Sequence, residues 1–177
     1  MKEGNPAEFR EISISPGEFR FGDCDTRLRT LLGSCVAITM WHPLKKLGGM
    51  CHFLLPSRTI DGKPGLDPRY GDEAFELMQK AAKKHHCLLQ DFEFKIFGGA
   101  SLLPSKSSLS RIAVGLRNIE MARSLLEKAS LKIVSEDVGG ACARTVVLDI
   151  WNGDVWVRTT QASSAGPLID QELSLSV

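Results

Sequence analysis

The hydrophobic and polar positions along this chain change period several times, and the changes divide it into short strands and two helices. Phe9 to Ile14 hints at alternation and predicts a first strand closed by Pro16-Gly17, with a second extended piece over Glu18 to Phe21. Arg27 to Leu32 leads into Gly33-Ser34-Cys35. Val36 to Trp41 is then β-branched or large and apolar on both alternating faces, which predicts a strand buried on both sides. His42 to Lys46 reads as a turn, Leu47 to Leu55 returns as the partner strand, and Pro56 stops it. The middle of the chain is therefore expected to be a hairpin.

Beyond it, Ser57 to Asp67 has the composition of a loop. A helix is expected to start at Asp67-Pro68 or Gly71-Asp72, with Ala74, Phe75, Leu77, Met78, Ala81 and Ala82 as its apolar stripe, and to end near Lys83 to His86. Asp91 to Phe97 alternates, placing Phe92, Phe94 and Ile96 on a buried face and Asp91, Glu93 and Lys95 on a wet one, and stops at Gly98-Gly99. Leu102 to Ser110 reads as a surface loop and Arg111 to Val114 as a short strand. Asn118 reads as the N-cap of a second helix that shares Ile119, Ala122, Leu125, Leu126 and Ala129 on one face. Lys132 to Ser135 and Arg144 to Ile150 are expected strands, and Asn152-Gly153 predicts a tight hairpin into Val155 to Arg158. With no internal repeat and no linker, the pattern predicts one domain over 1–160 and an aperiodic tail, disordered or partner-binding, over 161–177. Its fold class is an α/β (α+β) layered sandwich of mixed, largely antiparallel sheets with two main helices.

Composition narrows the function classes. A chain of 177 residues with 43% hydrophobic and 24% charged positions can bury a core without metal or disulfide staples. A formal net charge of +1 with no basic runs gives no field to attract nucleic acid or an anionic membrane. Met1 to Pro6 lacks the apolar core of a signal peptide and no segment reaches the roughly 18 apolar residues of a membrane span, so a cytoplasmic location is expected. Five cysteines without a Cys-x-x-Cys pair suggest neither a disulfide framework nor a thiol redox motif. His85-His86-Cys87 does not suit a metal, because adjacent helical residues point about 100° apart.

Chemistry concentrates in the hairpin. A turn centred between Pro43 and Leu44 would set Cys35 opposite His52 on one face, where an imidazole can reach a thiol and a neighbouring imidazolium can lower the thiol pKa. Cys35 would then be the nucleophile and His52 its base, with backbone N–H groups of Gly33-Ser34 available to a developing oxyanion. Taken singly, each residue has a commoner role in core packing.

The segment Thr30-Leu-Leu-Gly-Ser-Cys-Val-Ala37 followed by Gly48-Gly-Met-x-His-Phe-x-Leu-Pro56 resembles the signature of the chemoreceptor glutamine deamidases, the CheD family of bacterial chemotaxis. Further matches are Arg69-Tyr70, Ile96-Phe-Gly-Gly-Ala100, Gly115-x-Arg-Asn118, and Glu136-Asp-x-Gly-Gly140 with Arg144. The resemblance implies a catalytic Cys and His, which map onto Cys35 and His52. It also implies a Thr just upstream; Thr30 is the one hydroxyl close enough, and Arg29 holds the neighbouring position. Cys51, beside His52, is expected to face away and to pack. The implied reaction converts glutamines of receptor cytoplasmic helices to glutamate through a thioester, with no metal or organic cofactor. The implied partners are those helices and a phosphatase of the CheC type, and the implied alternative is a docking module with catalysis secondary or lost.

Overall fold

The computed structural model describes residues 6–58, 64–101, 109–161 and 174–176. They form two stacked five-stranded sheets with both helices on the outer face of the second. The first sheet contains β1 (Arg10–Ser13), β3 (Thr26–Leu32), β8 (Cys142–Asp149), β9 (Val155–Gln161) and β10 (Ser174–Ser176), adjacent in that order. The second contains β2 (Glu18–Gly22), β5 (Leu47–Phe53), β4 (Val36–His42), β6 (Glu93–Gly98) and β7 (Ile133–Val138). Pairing is antiparallel except for β1 with β3 and β6 with β7. α1 (Gly71–Lys84) and α2 (Leu109–Lys128) complete three layers of sheet, sheet and helices, the α+β sandwich expected.

Two apolar layers follow from the alternation of the central strands. Leu28 and Leu32 of β3, Ala37 and Met50 of the hairpin, Phe97, and Val146 and Leu148 of β8 fill the space between the sheets. Val36, Ile38, Met40, Cys51, Phe53, Phe94 and Ile96 point the other way, onto Ala74, Phe75, Met78, Ile119, Ala122 and Leu126 of the helices. β4 is thus covered on both sides, as its run of β-branched and apolar residues requires. Asn152-Gly153 closes β8 onto β9. Gly153 is at φ +78°, and a Cβ there would lie 2.3 Å from the Trp41 ring, so only glycine fits.

Three readings of the sequence are corrected. Lys95 does not face water: the first sheet covers that side of β6, and the ammonium, buried at 8% exposure, donates to the Gly153 carbonyl at 3.2 Å. Residues 111–114 are helical rather than extended, because α2 begins at Leu109. Asn118 consequently lies inside α2 instead of capping it. The expected loop over 102–108 lies outside the described residues. Of the tail, Ser174–Ser176 returns as an antiparallel partner of β9, and 162–173 lie outside the described residues.

Candidate active site

The segment Gly33-Ser34-Cys35 carries the chain from β3 in the first sheet to β4 in the second, so Cys35 sits where the two sheets are joined. The hairpin register differs from the sequence expectation by two residues. His42 pairs with Leu47 around a four-residue turn, Pro43 to Lys46, with Lys46 at φ 52° and its N–H bonded to the His42 carbonyl at 2.9 Å. Ala37, not Cys35, is therefore opposite His52. The turn centre moved by one residue and the pairing sum by two, which preserves the face. Cys35 and His52 both point into the layer between the sheets, as diagonal neighbours, a relation that typically separates Cα atoms by roughly 7–8 Å. Among the described residues no hydrogen bond joins the Cys35 thiol to the His52 ring.

Thr30 enters the same layer from the opposite sheet. The alternation of β3 buries Thr26, Leu28, Thr30 and Leu32 and turns Arg29 and Leu31 outward. Thr30 Oγ1 lies 2.8 Å from His52 Nδ1, whereas the Arg29 side chain is exposed and 3.8 Å from Glu11. Thr30 Oγ1 also donates to the Ile14 carbonyl at 2.8 Å. A carbonyl only accepts, so the one hydroxyl proton goes to Ile14 and Thr30 must accept from His52 Nδ1–H. This leaves Nε2 of the neutral ring as a free base. The sequence carried no signal for Ile14, whose part is played by its backbone.

Burial sets the protonation states. His52 is 1% exposed, and desolvation lowers its pKa to about 4; desolvation raises the Cys35 thiol, with its own backbone N–H pulling the other way. The resting pair is a neutral thiol beside a neutral imidazole, not the ion pair expected from the sequence. Cys51, with no exposed surface, packs in the helix-side core, where burial pushes its thiol up to about 12.

The crossover is anchored through three successive carbonyls. That of Gly33 accepts from Ala100 N at 2.8 Å, that of Ser34 from Asn118 Nδ2 at 3.3 Å, and that of Cys35 from Gly99 N at 2.8 Å. The N–H of Ser34 finds no acceptor among the described residues. Gly98, at φ +103°, passes so close that a Cβ would lie 2.3 Å from the Cys35 carbonyl oxygen. The Gly98-Gly99 turn thus lies against the site. In the sequence Asn118 read as a helix cap and Gly98-Gly99 as a tight turn, and neither showed its contact with the crossover. No group of three or more His, Cys, Asp or Glu side chains suited to a metal occurs among the described residues.

Residues 54–159 match the family model described as CheD chemotactic sensory transduction. The chain is 45% identical over 150 residues to a protein of Chromobacterium violaceum named probable chemoreceptor glutamine deamidase CheD 1, covering 85% of this chain and 78% of that one. A Dechloromonas aromatica protein named probable chemoreceptor glutamine deamidase CheD 3 is 41% identical over 160 residues, covering 90% and 94%. A Pseudomonas fluorescens protein named probable chemoreceptor glutamine deamidase CheD is 44% identical over 154 residues, covering 86% of each.

Proposed function

The chain belongs to the CheD family of chemotactic sensory transduction proteins, and on that premise we propose that it deamidates glutamine side chains of chemoreceptors with Cys35 as nucleophile, His52 as base and Thr30 as the residue that orients His52. One observation carries the assignment of roles: the chain of hydrogen bonds from His52 Nδ1 through Thr30 to the Ile14 carbonyl, which leaves Nε2 unprotonated.

The reaction then runs in two halves. Cys35 Sγ attacks the glutamine Cδ carbonyl as its proton passes to His52 Nε2, and negative charge gathers on the carbonyl oxygen beside the N–H groups of Ser34 and Cys35. The intermediate collapses with cleavage of the C–N bond; His52 Nε2–H protonates the departing nitrogen and ammonia leaves a thioester. Water then adds to the thioester carbon, giving its proton to Nε2, and the C–S bond breaks. Glutamate is formed, and the proton returns to the Cys35 sulfur. Burial suits this sequence, because a buried imidazole that rests neutral is ready to accept a proton at any pH above its low pKa. Action on receptor cytoplasmic helices would require this protein to work in the cytoplasm; among the described residues no helix is long and apolar enough to cross a membrane.

The test is intact-mass measurement of a receptor cytoplasmic fragment incubated with wild-type protein and with Cys35→Ala. Wild type converts amide to acid and the variant still binds but converts nothing. Equal conversion by both would remove Cys35 from the chemistry; no conversion by either would favour a docking module, of the kind that could also be held by a CheC-type phosphatase.

A further inference from the structure

Asn118 is fully buried inside α2, where asparagine is a poorer helix former than leucine. Its amide is used in an unusual way. Nδ2 donates to two backbone carbonyls from different segments, Leu54 just past the end of β5 at 2.8 Å and Ser34 in the crossover at 3.3 Å, while Oδ1, also buried, has no partner among the described residues. A buried acceptor left unpaired typically costs about 1–3 kcal/mol, so the two donated bonds are what this side chain offers in return. The helix comes close enough to give them because two glycines remove side chains from the contact. A Cβ on Gly115 would lie 2.7 Å from the Gly99 carbonyl oxygen, and one on Gly99 would lie 2.5 Å from the Ile119 side chain.

The two carbonyls flank the chemistry. Ser34 immediately precedes Cys35, and Leu54 follows His52 by two residues. Across a trans peptide the C=O and the next N–H point in opposite directions, and no cis peptide occurs among the described residues. Holding the Ser34 oxygen on the helix side therefore turns the Cys35 N–H away from the helix, toward the layer between the sheets against which Cys35 packs. Ala100 N holds the Gly33 carbonyl and fixes the Ser34 N–H by the same rule.

We infer that Asn118 is a positioning residue for the reaction: its amide aims the Cys35 N–H at the developing oxyanion and ties the end of the His52 strand to the same anchor. This rests on the deamidase reading and adds to it a residue that touches neither substrate nor the reacting atoms.

The test separates oxyanion stabilisation from thiol reactivity. Alkylation of Cys35 by iodoacetamide displaces iodide at a saturated carbon and builds no oxyanion, whereas deamidation must build one. Asn118→Ala, and Asn118→Leu as a variant of similar size lacking both donors, are expected to lower kcat on the receptor fragment roughly 10- to 100-fold, somewhat less than the loss of an entire oxyanion donor. KM stays within about twofold of wild type, and the Cys35 alkylation rate at fixed pH falls far less than kcat, because ground-state binding is untouched and alkylation builds no oxyanion. Unchanged kcat, or alkylation falling in step with kcat, would overturn the inference.

If wild type leaves the receptor fragment unchanged, the deamidase reading fails instead. An aldehyde analogue of glutamine, which adds reversibly to a thiol, then decides the role of Asn118 by itself. Wild type shows downfield shifts of the Ser34 and Cys35 amide protons in the adduct, and the Asn118 variants bind the aldehyde about tenfold more weakly or worse. Equal affinity, or no shift in wild type should neither variant fold, contradicts the assignment.

Discussion

Replacing Thr30 by valine keeps the β-branched shape that β3 presents to the inter-sheet layer and removes only the hydroxyl. Two buried groups then lose their partner: the Ile14 carbonyl, bonded at 2.8 Å, and the His52 ring, which is 1% exposed and 2.8 Å from Thr30. Each unpaired buried group costs about 1–3 kcal/mol, so a destabilisation of roughly 2–4 kcal/mol is expected once partial relaxation is allowed. Catalysis suffers separately. With no acceptor at Nδ1, the ring is free to move its proton to Nε2, the tautomer that cannot act as base. A neutral hydrogen bond worth about 1–2 kcal/mol sets that preference, which corresponds to a loss of roughly 5- to 30-fold in kcat at unchanged KM. Steady-state deamidation of a receptor fragment, read by mass, gives the rate, and 15N shifts of the His52 ring give the tautomer. The reasoning is refuted if Thr30→Val retains full kcat with Nδ1 still protonated. Arg29→Ala is the matched control: its exposed side chain lies 3.8 Å from Glu11 and makes no contact with His52 among the described residues, and no change in kcat is expected.

Other outcomes follow from burial. His52 titrates near 4 in the folded protein and near 6.5 when unfolded, so between those values the unfolded chain binds more protons. Stability from this group is complete above about pH 6.5 and is lost as pH falls toward 4, by on the order of 3 kcal/mol, which urea titrations across that window measure. By the same burial, the acidic limb of kcat/KM falls well below pH 6.5; a midpoint at 6.5 would mean that His52 is solvated in the working enzyme. Cys51→Ala removes a sulfur from the helix-side core, costing roughly 1–2 kcal/mol in denaturant titrations, while iodoacetamide still labels Cys35 at the wild-type rate.

Much of the fold was legible locally. Val36 to Trp41 and the Asn152-Gly153 turn are short-range signals, and the structure bears both out. What the sequence hid are effects of distant segments. Lys95 alternates as a solvent-facing residue and is buried because a second sheet, folded from β3 and β8, lies over it. The start of α2 resists reading because Gly115 weakens the helical pattern in order to meet the Gly99 backbone. Asn118 has the composition of a cap, and only tertiary structure shows it donating to Ser34 and Leu54. In the site, parity rescued the pairing: a turn misplaced by one residue changes the partner of His52 from Cys35 to Ala37 but keeps thiol and imidazole on one face. The choice between Arg29 and Thr30 needed only the inward or outward sense of β3, which the alternation Leu28, Thr30, Leu32 contains once the second sheet is known.

The central claim, that Cys35 is acylated by a receptor glutamine, is tested most directly by mixing wild-type protein with a glutamine-bearing receptor peptide, quenching in acid within the first turnover, and mapping any adduct by mass spectrometry. The account predicts a transient species equal to protein plus peptide less ammonia, located on Cys35 and absent from Cys35→Ala. Conversion of the peptide to its acid form with no such adduct at any quench time would contradict it.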